Sequence, residues 1–112
     1  NRLEILSAER NQLTEFPNVI LDLENLKELY LGDNFITAIP IDIDLLKNLE
    51  WLGLWSNLLR RFPSSLSDMP KLTTLDILYN DMTFSEQTWL LELLPHINVE
   101  MSEPCHCTFD DE

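Results

Sequence analysis

The chain has 112 residues, 45% of them hydrophobic, and 20 acidic against seven basic residues leave a formal net charge of −13. That length suits one domain with a modest core, and so much apolar content excludes wholesale disorder. The charge disfavours nucleic acid and anionic membranes, favours a basic partner, and no uncharged apolar run is long enough to span a bilayer.

The first residue is Asn1 rather than Met, which predicts a processed or excised segment. From Leu3 onward the chain repeats itself. LEILSAERNQLTEFP (3–17) aligns with LKELYLGDNFITAIP (26–40), with LEWLGLWSNLLRRFP (49–63) and, in its first part, with LTTLDILYNDM (72–82). The leading leucines Leu3, Leu26, Leu49 and Leu72 are 23 residues apart, a period typical of stacked supersecondary units. Alternation across each L-x-L predicts a short strand at Leu6, Leu29, Leu52 and Leu75. The asparagines that follow (Asn11, Asn34, Asn57 and Asn80) have amides able to satisfy turn backbone groups. Pro17, Pro40 and Pro63 then exclude a regular helix across the far side of each unit. The chain enters the first strand almost directly at Leu3, so the expectation is either a trimmed N-terminal cap or a frayed first coil. Ala8, small where later units carry Leu or Ile, fits a weaker first unit.

The fourth unit departs from the frame. Thr83 followed by Glu86 predicts a capping box opening a helix over about 84–94, with Trp89, Leu90, Leu93 and Leu94 as its apolar stripe. Leu94, Ile97 and Val99 then repeat the leucine spacing one residue early, predicting a fifth strand; Pro95 suits an edge. A cap of this kind is required, because an uncovered last coil would expose its core.

The repeat resembles the leucine-rich repeat family in its 23-residue form, over residues 3–101. The resemblance implies an α/β right-handed solenoid. Its concave side would be a parallel β-sheet of about five short strands and its convex side irregular or 3-10. It also assigns Asn11, Asn34, Asn57 and Asn80 to a ladder bonded to turn backbone. The expected organisation is a repeat domain over 1–101, four repeats plus cap, followed by an acidic tail over 102–112. The helix-then-strand ending is similar to the terminal caps of small intracellular members, which favours the cytoplasm.

Positions outside the leucine slots are expected on the concave side. The third position of successive units gives Ile5, Glu28, Trp51, Thr74 and His96; the fifth gives Ser7, Tyr30, Gly53, Asp76 and Asn98. The seventh gives Glu9, Gly32, Trp55, Leu78 and Glu100; the eighth gives Arg10, Asp33, Ser56, Tyr79 and Met101. Tyr30, Trp51, Trp55, Leu78 and Tyr79 therefore form a candidate apolar patch rimmed by Glu28, Asp33, Glu50 and Asp76. An aromatic centre with a charged rim is the anatomy of a protein-binding surface. The competing reading is that the aromatics fold over Gly32 and Gly53 and merely cover the sheet, or pack against a missing segment.

Other chemistry finds little support. Cys105, His106 and Cys107, with His96 upstream, offer zinc-type donors, but C-x-C lacks the usual ligand spacing. Nucleotide-binding and metalloprotease motifs are absent, and scattered carboxylates on an open sheet are poorly desolvated. No catalytic residue, cofactor or metal is expected. The expectation is a non-catalytic module that binds a protein with a basic patch through an acidic, aromatic-centred concave face. Contact with a second copy stays open. The alternative is a structural or recognition segment of a larger scaffold, receptor or bacterial effector.

Overall fold

A computed structural model describes residues 2–104, so the Cys105–His106–Cys107 motif lies outside the described residues. Five three-residue strands form one parallel sheet in chain order: β1 (Ile5–Ser7), β2 (Glu28–Tyr30), β3 (Trp51–Gly53), β4 (Thr74–Asp76) and β5 (Asn98–Glu100). Leu29 stands beside Leu6 and Leu52, and Leu52 beside Leu75. The 23-residue period thus converts directly into lateral register. The predicted solenoid and its five-stranded concave sheet are present.

Each leucine slot becomes a row through the core. Leu29, Leu52 and Leu75 are buried in one row, Leu31, Leu54 and Ile77 in the next, and Ile36, Leu59 and Met82 in a third. Full burial of one such side chain is worth about 1.5–3 kcal/mol, and each coil obtains it only from its neighbours. The first coil is the least covered: Leu6, Ala8 and Leu13 are partly buried, while Leu3 and Ile5 are exposed.

On the convex side, Pro17, Pro40 and Pro63 hold extended backbone directly before short 3-10 segments at Asn18–Asp22, Ile41–Leu45 and Ser64–Asp68. Each segment turns one apolar residue inward: Ile20, Ile43 or Leu66. The turn leaving each strand uses a left-handed residue at the eighth position. Arg10, Asp33, Ser56 and Tyr79 have φ of 59°, 57°, 53° and 61°. None is glycine, so each carries a steric cost of roughly 1–2 kcal/mol.

That turn aims the following asparagine inward. Asn57 donates to the carbonyls of Leu31, Leu54 and Trp55 and accepts from the Ile36 N–H. Asn34 and Asn80 make the same pattern one coil earlier and later. Among the described residues Asn11 bonds its own turn alone, at Ala8 and Glu9.

The fourth connection is a true helix, α1 (Phe84–Leu93), with Leu94 as its C-cap. The Thr83 side chain accepts from the Glu86 N–H at 3.3 Å, the first half of the predicted capping box. Leu90 and Leu94 are buried and Leu93 is partly so, but Trp89 is exposed, contrary to the predicted stripe. The helix rolls so that Gln87 rather than Trp89 faces the body, where its Nε2 donates to the Ser102 carbonyl. The fifth strand also corrects the expected alignment. Asn98, Val99 and Glu100 pair with Thr74, Leu75 and Asp76, a step of 24 residues, because the helical connection consumes its own length rather than the repeat's. His96 therefore precedes the strand, and Glu100 stands beside Asp76 instead of Leu78.

Candidate functional site

The concave face is built by the side chains that the leucine rows exclude. Its first row runs Ile5, Glu28, Trp51, Thr74, Asn98 and its second Ser7, Tyr30, Gly53, Asp76, Glu100. Tyr30, Trp51, Trp55 and Leu78 are half-buried on this face, and Tyr79 is 67% exposed beyond the end of β4. Tyr30 and Trp51 stand on neighbouring strands with their rings 6.5 Å apart, and Trp55 lies over Gly32.

Two glycines decide how the rings lie. A Cβ on Gly32 would fall 2.1 Å from the Trp55 indole, so that ring rests directly on the Gly32 backbone. The indole is pinned there at both ends: its Nε1–H donates to Glu9 Oε2 at 3.1 Å, and the Arg10 guanidinium sits 5.9 Å from the ring centre. Arg10 in turn lies 3.8 Å from Asp33. At Gly53 the rings stand to one side, with Tyr30 Cδ1 3.3 Å and Trp51 Nε1 3.6 Å from the position a Cβ would take. Tyr30 and Trp51 are tilted by 40°, their centres 6.5 Å apart. Covering of Gly32 is thus real for Trp55, while Trp51, Tyr30 and Tyr79 keep accessible surface.

The acidic rim is heterogeneous. The Tyr30 hydroxyl donates to the Glu28 carboxylate, and this bond, reinforced by burial and the charges of Glu28 and Glu9, pushes the phenol up to about 12. Burial raises the Asp76 carboxyl above its ordinary value; the Leu78 N–H opposes the rise, while Glu100 and Glu9 add to it. Glu50 is exposed just before β3. Glu9, Arg10 and Glu100 belong to the same surface but were not among the predicted rim. The signal for Glu9 was its place in one row with Gly32 and Trp55. Among the described residues no three His, Cys, Asp or Glu side chains are grouped to hold a metal, and no helix is long and apolar enough to cross a membrane.

The geometry has known relatives. Residues 1–59 and 24–82 match the leucine rich repeat family model. An adenylate cyclase of Schizosaccharomyces pombe is 28% identical over 91% of this chain but only 6% of its own length. A MAP kinase phosphatase with leucine-rich repeats from Dictyostelium discoideum is 40% identical over 46% of this chain and 6% of its own. The chain therefore spans a small fraction of the curated relatives it matches. Among solved structures, a leucine-rich repeat protein of Leptospira interrogans superposes with a TM-score of 0.83 at 32% identity, over 88% of this chain and 25% of that one. The leucine-rich repeat ectodomain of the Arabidopsis thaliana receptor kinase SOBIR1 gives 0.65 at 29% identity, over 88% of this chain and 57% of that one. With the period, the asparagine ladder, the parallel sheet and these matches all in agreement, the chain belongs to the leucine-rich repeat family.

Proposed function

We propose that residues 1–101 form a non-catalytic module that docks a protein with a basic patch on its concave face. The leucine-rich repeat fold itself suggests a protein–protein interaction module, and the family is typically non-catalytic. The observation that carries the finer reading is the joint placement of Tyr30, Trp51, Trp55, Leu78 and Tyr79 with Glu9, Glu28, Asp33, Glu50, Asp76 and Glu100 around one curved sheet. Aromatic area supplies affinity; the carboxylates raise the encounter rate of a basic partner and reject acidic ones. Trp51 and Tyr79 carry more of this role than Trp55, whose indole is already committed to Gly32 and Glu9.

Panning a displayed random-peptide library against the immobilised chain tests this. Enrichment of sequences with paired basic and apolar residues is expected, and binding should weaken by about 2 kcal/mol in Trp51→Ala. Enrichment of acidic sequences, or binding unaffected by both Trp51→Ala and Tyr79→Ala, would sink the placement. A second reading is favoured by one observation: the chain spans 6% of either curated relative. It is a recognition or structural segment of a larger scaffold, receptor or effector, in which the same face serves the whole protein.

A further inference from the structure

The flank of the solenoid carries a charge opposite to that of its concave face. Arg60 and Arg61 are the only consecutive basic residues in a sequence of net charge −13. Both are exposed, and with Thr37, Ala38, Leu58 and Asp81 they line an open groove of about 420 Å³. The groove crosses three coils: Asp81 is on the fourth, Leu58 and both arginines on the third, Thr37 and Ala38 on the second. Ala38 and Leu58 give it an apolar stretch, and Leu58 is 41% exposed.

Pro104, the last described residue, is close to the near end of this groove. Ser102 Oγ accepts from the Tyr79 N–H at 3.1 Å, and the Ser102 carbonyl accepts from Gln87 Nε2 at 3.0 Å. These bonds set Ser102 beside the turn that runs from Tyr79 to Asp81. The Asp81 N–H in turn donates to the Leu59 carbonyl at 3.0 Å, so the third coil adjoins it there. Neighbouring coils are about 4.8 Å apart at the sheet, which makes two coil steps roughly 10 Å. Phe109 follows Ser102 by seven residues, a reach of up to about 24 Å in extended chain.

The segment CHCTFDDE, 105–112, has the charge and the order that such a groove selects. Cys105 to Thr108, which must pass Asp81, carry no carboxylate. Phe109 comes next, and Asp110, Asp111 and Glu112 follow it. We propose that this segment docks in the flank groove of its own chain, with Phe109 against Leu58 and Ala38 and the carboxylates on Arg60 and Arg61. Arginine suits the task because its planar fork bonds a carboxylate through two N–H groups at once. The concave face repels the same segment through Glu28, Asp33, Glu50 and Asp76, so the two surfaces sort ligands by sign. Tethering supplies an effective concentration on the order of mM. Exposed ion pairs, individually weak, then suffice to hold the segment.

Amide shifts of the full ¹⁵N-labelled chain test this. Phe109→Ala and the pair Asp110→Asn with Asp111→Asn should each shift the Ala38, Leu58 and Arg61 amides while β1 and β2 stay still. Neither change touches a residue of the folded body. Arg60→Asp with Arg61→Asp should move the Asp110 and Asp111 amides, and adding Asp110→Arg with Asp111→Arg should bring the groove shifts back toward their original values. All of these shifts should be unchanged on dilution. Shifts confined to residues beyond Pro104 overturn the docking, as does a charge swap that restores nothing. Groove shifts that fade on dilution overturn it in favour of the segment of a second copy.

Discussion

Asn57 and Asn11 occupy the same position in their repeats, yet their removal should cost very different amounts. Asn57 is 4% exposed and makes four bonds. Truncation to Ala does not orphan all four partners. The Leu31 carbonyl keeps the Asn34 amide, the Leu54 carbonyl keeps that of Asn80, and the Trp55 carbonyl keeps the Asp33 N–H. The Ile36 N–H loses its acceptor, Asn57 Oδ1, in a buried setting. One buried orphan donor costs about 1–3 kcal/mol, and the three weakened carbonyl contacts with the small void add roughly another 1 kcal/mol. Asn57→Ala should therefore lose about 3 kcal/mol. Asn11 is exposed and bonds two carbonyls of its own turn, so Asn11→Ala should lose less than about 1 kcal/mol. Urea unfolding followed by circular dichroism gives both values, provided the dependence on urea keeps the same slope. Equal losses in the two variants would refute the idea that the ladder acts by satisfying the preceding coil.

The glycines should separate in the same assay: Gly32→Ala forces the Trp55 indole off its floor and should cost about 1–3 kcal/mol, whereas Gly53→Ala needs only a slight yielding of Tyr30 and should cost less than 1 kcal/mol. Tyr30 should ionise near 12 in an ultraviolet titration, and Glu28→Gln should lower that midpoint. Its folded pKa is above the unfolded value of 10.0, so its contribution is complete below pH 10 and is lost as pH rises toward 12; a midpoint unmoved by Glu28→Gln would remove the hydrogen bond as the cause. Tyr79→Gly relieves a left-handed aromatic residue and should raise stability by a net ~0.5 kcal/mol after the entropy of the unfolded glycine is subtracted; a lowered melting temperature would show that the ring's contacts outweigh the strain.

How much of this was legible depends on what each feature obeys. Leu6, Leu29, Leu52 and Leu75 keep a fixed spacing because each strand must stack on the last, and the sheet register follows from that spacing alone. The fifth strand escapes the rule. Its position depends on the length of α1, which no repeat constrains, and the alignment was two residues off. A shift of two preserves the face, so Val99 still points inward while Glu100 moves beside Asp76. Side-chain direction was less accessible. The row Glu9, Gly32, Trp55 was readable, but whether the indole turned toward Gly32 or Leu78 is a rotamer choice, set by a glycine floor and a carboxylate two coils away. Trp89 failed for a similar reason: an apolar residue at helical spacing does not reveal how the helix rolls against the last coil.

The bond between Trp55 and Glu9 joins residues 46 positions apart in sequence, passing over the coil between them. A solenoid is ordinarily a one-dimensional chain in which each unit senses only the next. This contact adds a second-neighbour coupling. Fraying of the thinly covered first coil then releases an indole in the third, and conversely anything that holds Trp55 on Gly32 also holds the first coil in place. The three leading repeats should consequently melt as one cooperative block rather than peel from the end, with the concave rings moving in step with the terminus.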